Sequence, residues 1–251
     1  MAPTIANTVD FHINTPSYIR PLMLYFVESF DNVNFEAKCE ELFGVLTRDN
    51  VYLFLNVLIH NRITKDDVNL EMLADLVMKI DDRFPGGREV AVRELLKPIK
   101  RVFGSIPADG MDFGKEADLR NLGRFLGLLT LAQNKTFISC HLDLKDLVLE
   151  GITKGDNALR YVVQFVCQFL KASFGSVYHP FHSSNLVILK YLRMIYEKDD
   201  VMSEIKTEID LLFEHLRIGM KLIPRISQST IGAPLGDPII KYEESGDSPF
   251  H

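Results

Sequence analysis

The apolar side chains of this chain recur with a helical period along most of its length. In the clearest case, successive steps of four, three, one and three residues place five apolar side chains on one face of a helix: Ile205, Ile209, Leu212, Phe213 and Leu216. Charged residues occupy the opposite face of that segment. Residues 119–129 and 159–170 repeat the spacing, and the segments around residues 51–59 show no alternation of period two. The pattern therefore predicts an all-α protein.

Helix-capping residues and breaks divide this pattern into short helices. Residues 84–87 read Phe-Pro-Gly-Gly and form a plain break, while Pro98 is predicted to kink or divide the helical stretch at 88–103. As a helix, residues 51–59 would be apolar on nearly every face, which is typical of a helix buried between two neighbouring helices. Ten helices are predicted, at about residues 17–30, 34–46, 49–62, 67–81, 87–104, 117–133, 143–154, 157–174, 184–198 and 202–217.

The rhythm of short helices and tight turns favours an α-solenoid of about five antiparallel helical hairpins, similar to HEAT repeats. One helical-repeat scaffold domain is predicted at residues 15–222, preceded by an N-terminal extension at 1–14. Residues 223–251 contain prolines and glycines but no helical period. We interpret them as a tail that is partly ordered at best, or that binds along the surface as an extended strand.

The charge and cysteine content exclude several classes of function. The 28 basic and 34 acidic side chains give a net charge of −6, which argues against strong direct binding of nucleic acid and against an anionic membrane surface. The three cysteines show no CxxC spacing, so a reduced, intracellular compartment is the simplest interpretation. No signal peptide or membrane-spanning stretch is recognisable. Composition alone does not exclude an enzyme.

No pattern of reactive residues indicates an active site. Cys140 and His141 fall in a predicted loop, where adjacent side chains rarely face one another, and we interpret them as chance neighbours. His179 and His182 have no nearby cysteine or carboxylate to complete a zinc site. The common nucleotide-binding, hydrolase and metalloprotease motifs are absent. We therefore predict no catalytic residue, no metal site and no cofactor.

Two further features indicate structure rather than chemistry. Gly123 and Gly127 lie four residues apart on a predicted helix, which indicates a close helix–helix contact rather than a phosphate site. Carboxylates lie next to the predicted helix ends, as helix caps do: Asp66, Asp67, Asp81, Asp82, Asp143, Asp146, Asp199 and Asp200.

Charge is unevenly distributed between two helical stretches. Residues 83–101 carry six basic against two acidic side chains, and residues 194–214 carry seven acidic against two basic ones. A solvated helix face explains each stripe. The alternative is a docking surface for partners of opposite charge, since such fields select partners.

Residues 119–135 contain the most specific pattern of the chain and read Leu-Arg-Asn-Leu-Gly-Arg-Phe-Leu-Gly-Leu-Leu-Thr-Leu-Ala-Gln-Asn-Lys. This block resembles the NLGxxLGxxTLAxNK signature of the middle domain of Not-one, the large scaffold subunit of the cytoplasmic Ccr–Not mRNA deadenylase complex. The resemblance continues, in the order of that family, through residues 142–150, 161–166 and 206–212. It implies the HEAT-like fold first known from a translation-initiation scaffold.

The function that the resemblance implies is scaffolding without catalysis. Domains of this family hold a Caf-type deadenylase on one surface and a DEAD-box RNA helicase of the mRNA decay pathway on another, and they stimulate the ATPase of that helicase. Other subunits or adaptors of the complex are implied as further partners. The implied processes are deadenylation, mRNA decay and translational repression, and the implied location is cytoplasmic, with P-bodies and the nucleus as further candidates.

Two sets of residues are candidates for partner contacts. In the family, the helicase surface lies near the start of a helix that follows an Arg-hydrophobic-Ser/Thr turn, which corresponds here to residues 62–64. The resemblance therefore implies helicase contacts at Arg62, Asp67, Asn69 and Leu70, with an ordinary helix cap as the alternative. For the deadenylase we predict the loop at 177–185, because aromatic residues at a loop tip are plausible binding hot spots, although they can equally pack into the core. The predicted contacts are Tyr178, Phe181 and Asn185.

Three other functions compete with this interpretation. A translation-initiation scaffold that binds an initiation DEAD-box helicase has the same fold, but the central signature favours the deadenylase complex. An all-helical hydrolase that uses Cys140, His141 or the histidine loop is disfavoured by the absent motifs. A direct RNA-binding repeat protein is disfavoured by the negative net charge.

Overall fold

The computed structural model describes residues 18–65, 69–106, 112–135 and 142–226. Within these ranges the chain forms ten α-helices, two short 3-10 helices and no strand, which confirms the predicted all-α class. The α-helices are α1 (Ile19–Ser29), α2 (Phe35–Val45), α3 (Val51–Asn61), α4 (Leu70–Arg83), α5 (Gly87–Gly104), α6 (Phe113–Leu129), α7 (Leu144–Lys154), α8 (Asp156–Lys171), α9 (Ser183–Tyr196) and α10 (Ser203–Leu216). The 3-10 helices are Leu131–Gln133 and Met220–Leu222.

The helices pack in two layers that follow the order of the chain. In one layer, α4, α6, α8 and α10 contact one another in succession. In the other layer, α1, α3 and α5 do the same, and α7 contacts α9. This is the arrangement of an α-solenoid, in which each helical hairpin buries its faces against the next one.

Two helices show how the apolar pattern determines burial. Every residue of α8 from 161 to 170 is buried, because α6, α7 and α10 all pack against this helix. Five of the eleven residues of α3 are fully buried and the rest are half-buried, because the helix packs between α1 and α5, as its nearly continuous apolar sequence predicts. Two of its polar side chains, Tyr52 and Asn56, donate hydrogen bonds to the buried carboxylate of Glu94 on α5.

Pro98 does not divide α5, which continues to Gly104. Proline lacks the backbone N–H that would bond to the carbonyl of Glu94 one turn earlier, so a single hydrogen bond of the helix is lost. Pro98, Leu95 and Ile99 are all buried. The packing of this face against the neighbouring helices therefore stabilises the helix on both sides of the proline.

Side-chain caps set the start of α6 and α7. The Asp112 carboxylate accepts from the backbone N–H of Lys115 at 3.1 Å, and α6 therefore begins four residues before the predicted start. The Asp143 carboxylate accepts from the N–H groups of Lys145 and Asp146 at 2.9 and 3.1 Å. The capping role predicted for Asp143 is thereby confirmed.

The last described residues pack onto α9. Ile223 is fully buried, and its carbonyl accepts a hydrogen bond from the Arg193 guanidinium. The carboxylate of Glu197 pairs with both Arg193 and Arg225, at 2.8 and 3.0 Å. The predicted domain boundaries stay predictions. Among the described helices, none combines the length and the apolar character that crossing a bilayer requires.

Candidate partner-binding surfaces

The turn between α3 and α4 is the first candidate surface. Asn69 is the N-cap of α4: its Oδ1 accepts from the backbone N–H of Met72 at 3.0 Å, and its Nδ2 donates to Asn32 Oδ1 at 2.6 Å. Asn69 therefore has the capping role that the sequence left as the alternative. Leu70 is buried, with 5% of its surface exposed, and Asp67 lies outside the described residues. Contact of these residues with a helicase stays a prediction.

Charged side chains surround this turn. Lys65 Nζ lies 2.5 Å from the Glu28 carboxylate of α1. The hydrogen bond and the charge of Lys65, with a smaller contribution from Arg62, hold the pKa of Glu28 below its ordinary value. Arg62 is half-buried, and its Nε is buried without a hydrogen-bond partner among the described residues. The turn therefore presents a mixed, mostly polar surface.

Helix α6 braces the same turn from the other side. The Asn121 side chain donates to the carbonyl of Lys65 at 2.9 Å. The Arg124 guanidinium pairs with the Glu71 carboxylate in the first turn of α4. Burial raises the pKa of Glu71, but the hydrogen bond from Arg124, a backbone hydrogen bond and the charge of Arg124 together outweigh burial, so the pKa lies below its ordinary value. Asn121 and Arg124 both belong to the sequence signature at 119–135.

The two glycines of the signature lie where α6 meets α8. A Cβ atom at Gly123 would lie 2.5 Å from the carbonyl oxygen of Phe165, and one at Gly127 would lie 2.6 Å from the carbonyl oxygen of Phe169. No side chain fits at such distances from a backbone atom, so only glycine permits this approach of the two helices. The predicted close helix–helix contact is confirmed.

The polar end of the signature forms a turn after α6. Thr130 Oγ1 donates to the carbonyl of Leu126 at 2.6 Å, and the carbonyl of Thr130 accepts from the N–H of Lys135 at 3.0 Å. Asn134 has a left-handed backbone, with φ of 54°, a conformation that asparagine tolerates better than most residues. This geometry turns the Asn134 side chain toward the segment after α8.

The loop after α8, residues 172–182, is the second candidate surface, and Asn134 anchors it. Asn134 Oδ1 accepts from the backbone N–H of Val177 at 2.8 Å. Ser176 Oγ donates to the carbonyl of Leu131 at 2.5 Å and accepts from the N–H of Tyr178 at 3.0 Å. The signature therefore fixes the backbone of the loop in which we predicted deadenylase contacts.

Asn185 holds the other end of this loop. Its side chain is 3% exposed and donates to the carbonyl of Tyr178 at 2.7 Å. The Tyr178 ring is half-buried, packs against the core and meets the ring of His182 edge-on, with centroids 5.0 Å apart. Asn185 therefore acts in this structure as a positioning residue. Direct contact of Asn185 or Tyr178 with a deadenylase stays a prediction.

The fixed backbone presents large apolar side chains to solvent. Phe181, one of the predicted contacts, is 43% exposed, and Val177 in the same loop is 60% exposed. Phe174 and Val187, on either side of the predicted 177–185 segment, are 47% and 38% exposed. Sequence reasoning missed these two. The signal available in the sequence was the adjacent glycine, Gly175. Its left-handed backbone, with φ of 78°, reverses the chain there and leaves Phe174 exposed.

The basic stripe on α5 is partly neutralised inside the protein. Glu94 is 1% exposed and accepts from Tyr52 Oη and Asn56 Nδ2, both at 2.8 Å, while Lys97 Nζ lies 2.7 Å away. Burial raises the pKa of Glu94, but the hydrogen bonds from Lys97, Asn56 and Tyr52 outweigh burial and lower it overall. The carboxylate and Lys97 therefore connect α5 to α3, whereas Arg93 remains exposed on the same helix.

Some carboxylates of the acidic stripe at residues 194–214 are also paired with side chains of neighbouring helices. Glu208 on α10 accepts from Gln168 Nε2 at 2.8 Å and lies 3.8 Å from Lys171 Nζ, which ties α10 to α8. Burial raises the pKa of Glu208. Since Glu197 also pairs with arginines, the stripe is not one continuous free anionic face.

The residues considered for catalysis do not form a site in the described part of the chain. Cys140 and His141 lie outside it. His179 Nδ1 accepts from the N–H of Phe181 at 3.2 Å, and His182 Nδ1 bonds to Ser184 Oγ at 2.8 Å, so both rings stabilise the loop locally. Among the described residues, no group of three or more histidine, cysteine or carboxylate side chains is arranged to hold a metal ion.

Comparison with known proteins gives one family and several relatives. The family model described as the CCR4-NOT transcription complex subunit 1 CAF1-binding domain matches residues 12–231. The General negative regulator of transcription subunit 1 of Schizosaccharomyces pombe is 27% identical over 201 residues, which cover 79% of this chain and 9% of that protein. The CCR4-NOT transcription complex subunit let-711 of Caenorhabditis elegans is 38% identical over 103 residues, which cover 41% of this chain and 4% of that protein.

A third relative has the same name as the first. The General negative regulator of transcription subunit 1 of Saccharomyces cerevisiae is 24% identical over 209 residues, which cover 82% of this chain and 10% of that protein. The chain thus spans a tenth or less of the length of these curated relatives.

Proposed function

Since this chain belongs to the CCR4-NOT transcription complex subunit 1 CAF1-binding domain family, a family of non-catalytic scaffolds, we propose that it docks a Caf-type deadenylase within a Ccr–Not complex. In this role the domain brings the nuclease to mRNA and thereby promotes deadenylation, decay and translational repression. The family match over residues 12–231 carries the proposal.

The loop at 172–182 supports the proposal physically. Phe174, Val177 and Phe181 expose apolar surface on a backbone that Asn134 and Asn185 hold in place. Apolar side chains on a preorganised backbone lose little conformational entropy on binding, which is the property of efficient interface anchors. We therefore assign the deadenylase to this surface, with Phe181 as its anchor and Tyr178 at its edge.

A single charge on the loop tests this assignment. Phe181→Asp places a carboxylate in the centre of the apolar contact and is expected to raise the Kd for the deadenylase by at least ~30-fold, as for a hot-spot residue. Val33→Asp is the matched control, because Val33 is 98% exposed between α1 and α2, far along the chain from the loop. Isothermal titration calorimetry measures both. Equal affinity of the two variants would contradict the assignment.

The turn between α3 and α4 supports docking of a second partner, a DEAD-box RNA helicase whose ATPase the domain stimulates. Arg62, Lys65 and Asn69 give this turn polar groups that suit a hydrated, charged interface. The turn and the loop at 172–182 belong to different helical hairpins. Two partners are therefore expected to bind at the same time.

A capping-neutral double variant tests the helicase surface. Arg62→Ala with Asn69→Asp removes the guanidinium and the Nδ2 donor but retains a side-chain cap on α4. We expect weaker helicase binding and weaker stimulation of its ATPase, with unchanged deadenylase binding in co-purification. Loss of both partners, or of neither, would count against two separate surfaces.

The remaining expectations follow from the same proposal. Other subunits or adaptors of the complex are further partners, and we place the protein in the cytoplasm, with P-bodies and the nucleus as further candidate locations. Family membership favours the deadenylase complex over a translation-initiation scaffold. Stoichiometric binding of an initiation helicase, without binding of a Caf-type deadenylase, would reverse that preference.

A further inference from the structure

A small pocket lies where the C-terminal ends of α6, α8 and α10 meet. Its volume is about 180 Å³. This is below the range of about 300–1,000 Å³ that is typical of small-molecule sites, so the pocket suits one side chain of a larger partner. Basic and apolar side chains make up most of its lining: Arg124, Leu128, Lys171, Ala172, Phe174 and His215.

Two basic side chains from the end of α10 contact the Phe174 ring at this pocket. The Arg217 guanidinium carbon lies 5.3 Å from the centroid of that ring, and the His215 ring meets it edge-on, with centroids 5.9 Å apart. Arg217 is the C-cap of α10 and has a left-handed backbone, with φ of 54°, which is uncommon for arginine. The end of α10 therefore holds a guanidinium and an imidazole together beside the pocket.

Positive charge exceeds negative charge at this pocket. Arg124 is paired with Glu71, and Lys171 Nζ lies 3.8 Å from the Glu208 carboxylate. Arg217 is exposed, and no carboxylate pairs with it within the ranges that the structure describes. Three cations thus face two carboxylates, so one guanidinium at the pocket remains available to an anionic group of a partner.

His215 lies in the positive field of the same cations. Burial lowers the pKa of His215, and the charges of Arg124, Lys171 and Arg217 lower it further, while a hydrogen bond with the backbone of Lys171 offsets only part of this. The three cations would attract a carboxylate bound at the pocket, and that carboxylate would in turn favour the protonated imidazole. The His215 ring is therefore a spectroscopic reporter for an anionic occupant.

The surroundings of the pocket favour an acidic protein segment over nucleic acid. Exposed apolar side chains flank the basic ones: Phe174, and Leu211 one turn before His215 on α10. Glu71 and Glu208 would repel the continuous charge of a phosphate backbone, and so would the net charge of −6 on the whole chain. A single carboxylate with an apolar neighbour matches both the charge and the size of the site.

We propose that the pocket between α6, α8 and α10 docks an acidic segment of a protein partner. A carboxylate of that segment pairs with Arg217 beside His215, and an apolar side chain next to it packs on Phe174 and Leu211. The site shares Phe174 with the loop at 172–182, but it does not depend on the assignment of the deadenylase to that loop.

A short acidic peptide tests the proposal on the full chain. The probe is a fluorescein-labelled peptide of sequence Glu-Glu-Leu-Glu-Glu, and its counterpart has glutamine in place of every glutamate. At about 50 mM NaCl, where screening is weak, fluorescence anisotropy should give a Kd for the acidic peptide at least about tenfold lower than for the glutamine peptide. The imidazole NMR signals of His215 should shift as the acidic peptide is added. Equal affinity for the two peptides, no binding of the acidic one, or unchanged His215 signals would overturn the proposal.

Two matched variants distinguish this pocket from general attraction by surface charge. Arg217→Glu and Arg48→Glu each reverse one exposed arginine, but Arg48 lies between α2 and α3, on another hairpin. We expect Arg217→Glu to raise the Kd for the acidic peptide about tenfold and Arg48→Glu to change it by less than about twofold. Equal effects of the two variants would contradict docking at the pocket. Tighter binding of a labelled oligouridine than of the acidic peptide, lost in Arg217→Glu, would also overturn the proposal, because nucleic acid would then be the occupant.

Discussion

The turn between α3 and α4 and the loop at 172–182 both follow a buried helix, yet they are held in different ways. The turn is braced by charged side chains: Lys65 with Glu28, and Arg124 with Glu71. The loop is braced by neutral amide and hydroxyl groups, chiefly Asn134 and Asn185, that bond directly to its backbone. The turn presents polar groups and the loop presents apolar ones.

This difference indicates two kinds of partner recognition on one solenoid. Neutral hydrogen bonds to the backbone keep their geometry when the salt concentration changes, so the loop stays rigid. The affinity of a partner for the loop should therefore depend on the apolar area that is buried in the complex. Ion pairs on an exposed turn are weak and screened by salt, so binding there should depend on charge and on ionic strength. Helix α6 and the turn that follows it support both surfaces, through Asn121 and Arg124 of the helix on one side and Asn134 of the turn on the other.

The largest loss of stability is expected from a substitution in α6, the helix next to both surfaces. Gly123→Ala inserts a methyl group 2.5 Å from the backbone oxygen of Phe165, so α6 and α8 must separate. We expect the free energy of unfolding to fall by about 2–3 kcal/mol, as for an overpacked core, and both partner affinities to fall together. Urea denaturation and calorimetry measure the two effects.

Gly44→Ala is the matched control for this change. A Cβ at Gly44 on α2 would meet no heavy atom within 4 Å, so the same substitution should raise stability by about 0.5–1 kcal/mol. If Gly123→Ala were neutral, or impaired the partner of one surface alone, α6 would not be the common support.

The second-largest effect is expected at Asn134, where a substitution should impair deadenylase binding but not helicase binding. Asn134→Gly preserves the left-handed backbone but removes the acceptor for the N–H of Val177. We expect a loss of about 1.5 kcal/mol in stability and a weaker complex with the deadenylase, with helicase binding unchanged. Asn134→Asp keeps an acceptor oxygen and should retain deadenylase binding. Equal weakening of both partners by Asn134→Gly would show that the loop is not anchored independently.

A smaller effect is expected at the turn. Asn69→Ala removes the cap on α4 and the bond to Asn32, which should cost about 1 kcal/mol in stability and weaken the helicase complex alone. Asn69→Asp restores the cap but not the donor to Asn32. A helicase affinity recovered by Asn69→Asp would assign the effect to capping, and an affinity that stays low would assign it to the lost Nδ2 donor.

The sequence predicted the helices well because apolar spacing and capping residues are local signals. All ten predicted helices exist, and the largest error at a start, in α6, arose from Asp112, whose capping role depends on its own extended backbone conformation. The role of Gly123 was also predictable, since small residues at helical spacing indicate close packing. The role of Asn185 was not predictable, because its bond to the Tyr178 carbonyl depends on how the loop folds back onto α9. Exposure of Phe174 likewise depends on tertiary packing and on the turn at Gly175.

Lowering the pH should weaken the turn between α3 and α4, which carboxylates hold in place, and leave the asparagine anchors of the loop at 172–182 unchanged. Glu28 and Glu71 both have a pKa below the ordinary value of 4.5 in the folded protein, so their contribution to stability is complete above about pH 4.5 and is lost as the pH falls through the lower, folded values. The amide groups of Asn134 and Asn185 do not titrate in this range. Hydrogen exchange, corrected for its intrinsic dependence on pH, should therefore show the backbone N–H groups of the turn losing protection before the N–H of Val177, which bonds to Asn134, as the pH falls below 4.5. The double variant Glu28→Gln, Glu71→Gln should abolish this pH dependence at the turn, and earlier opening of the loop would show that its anchors also depend on charge.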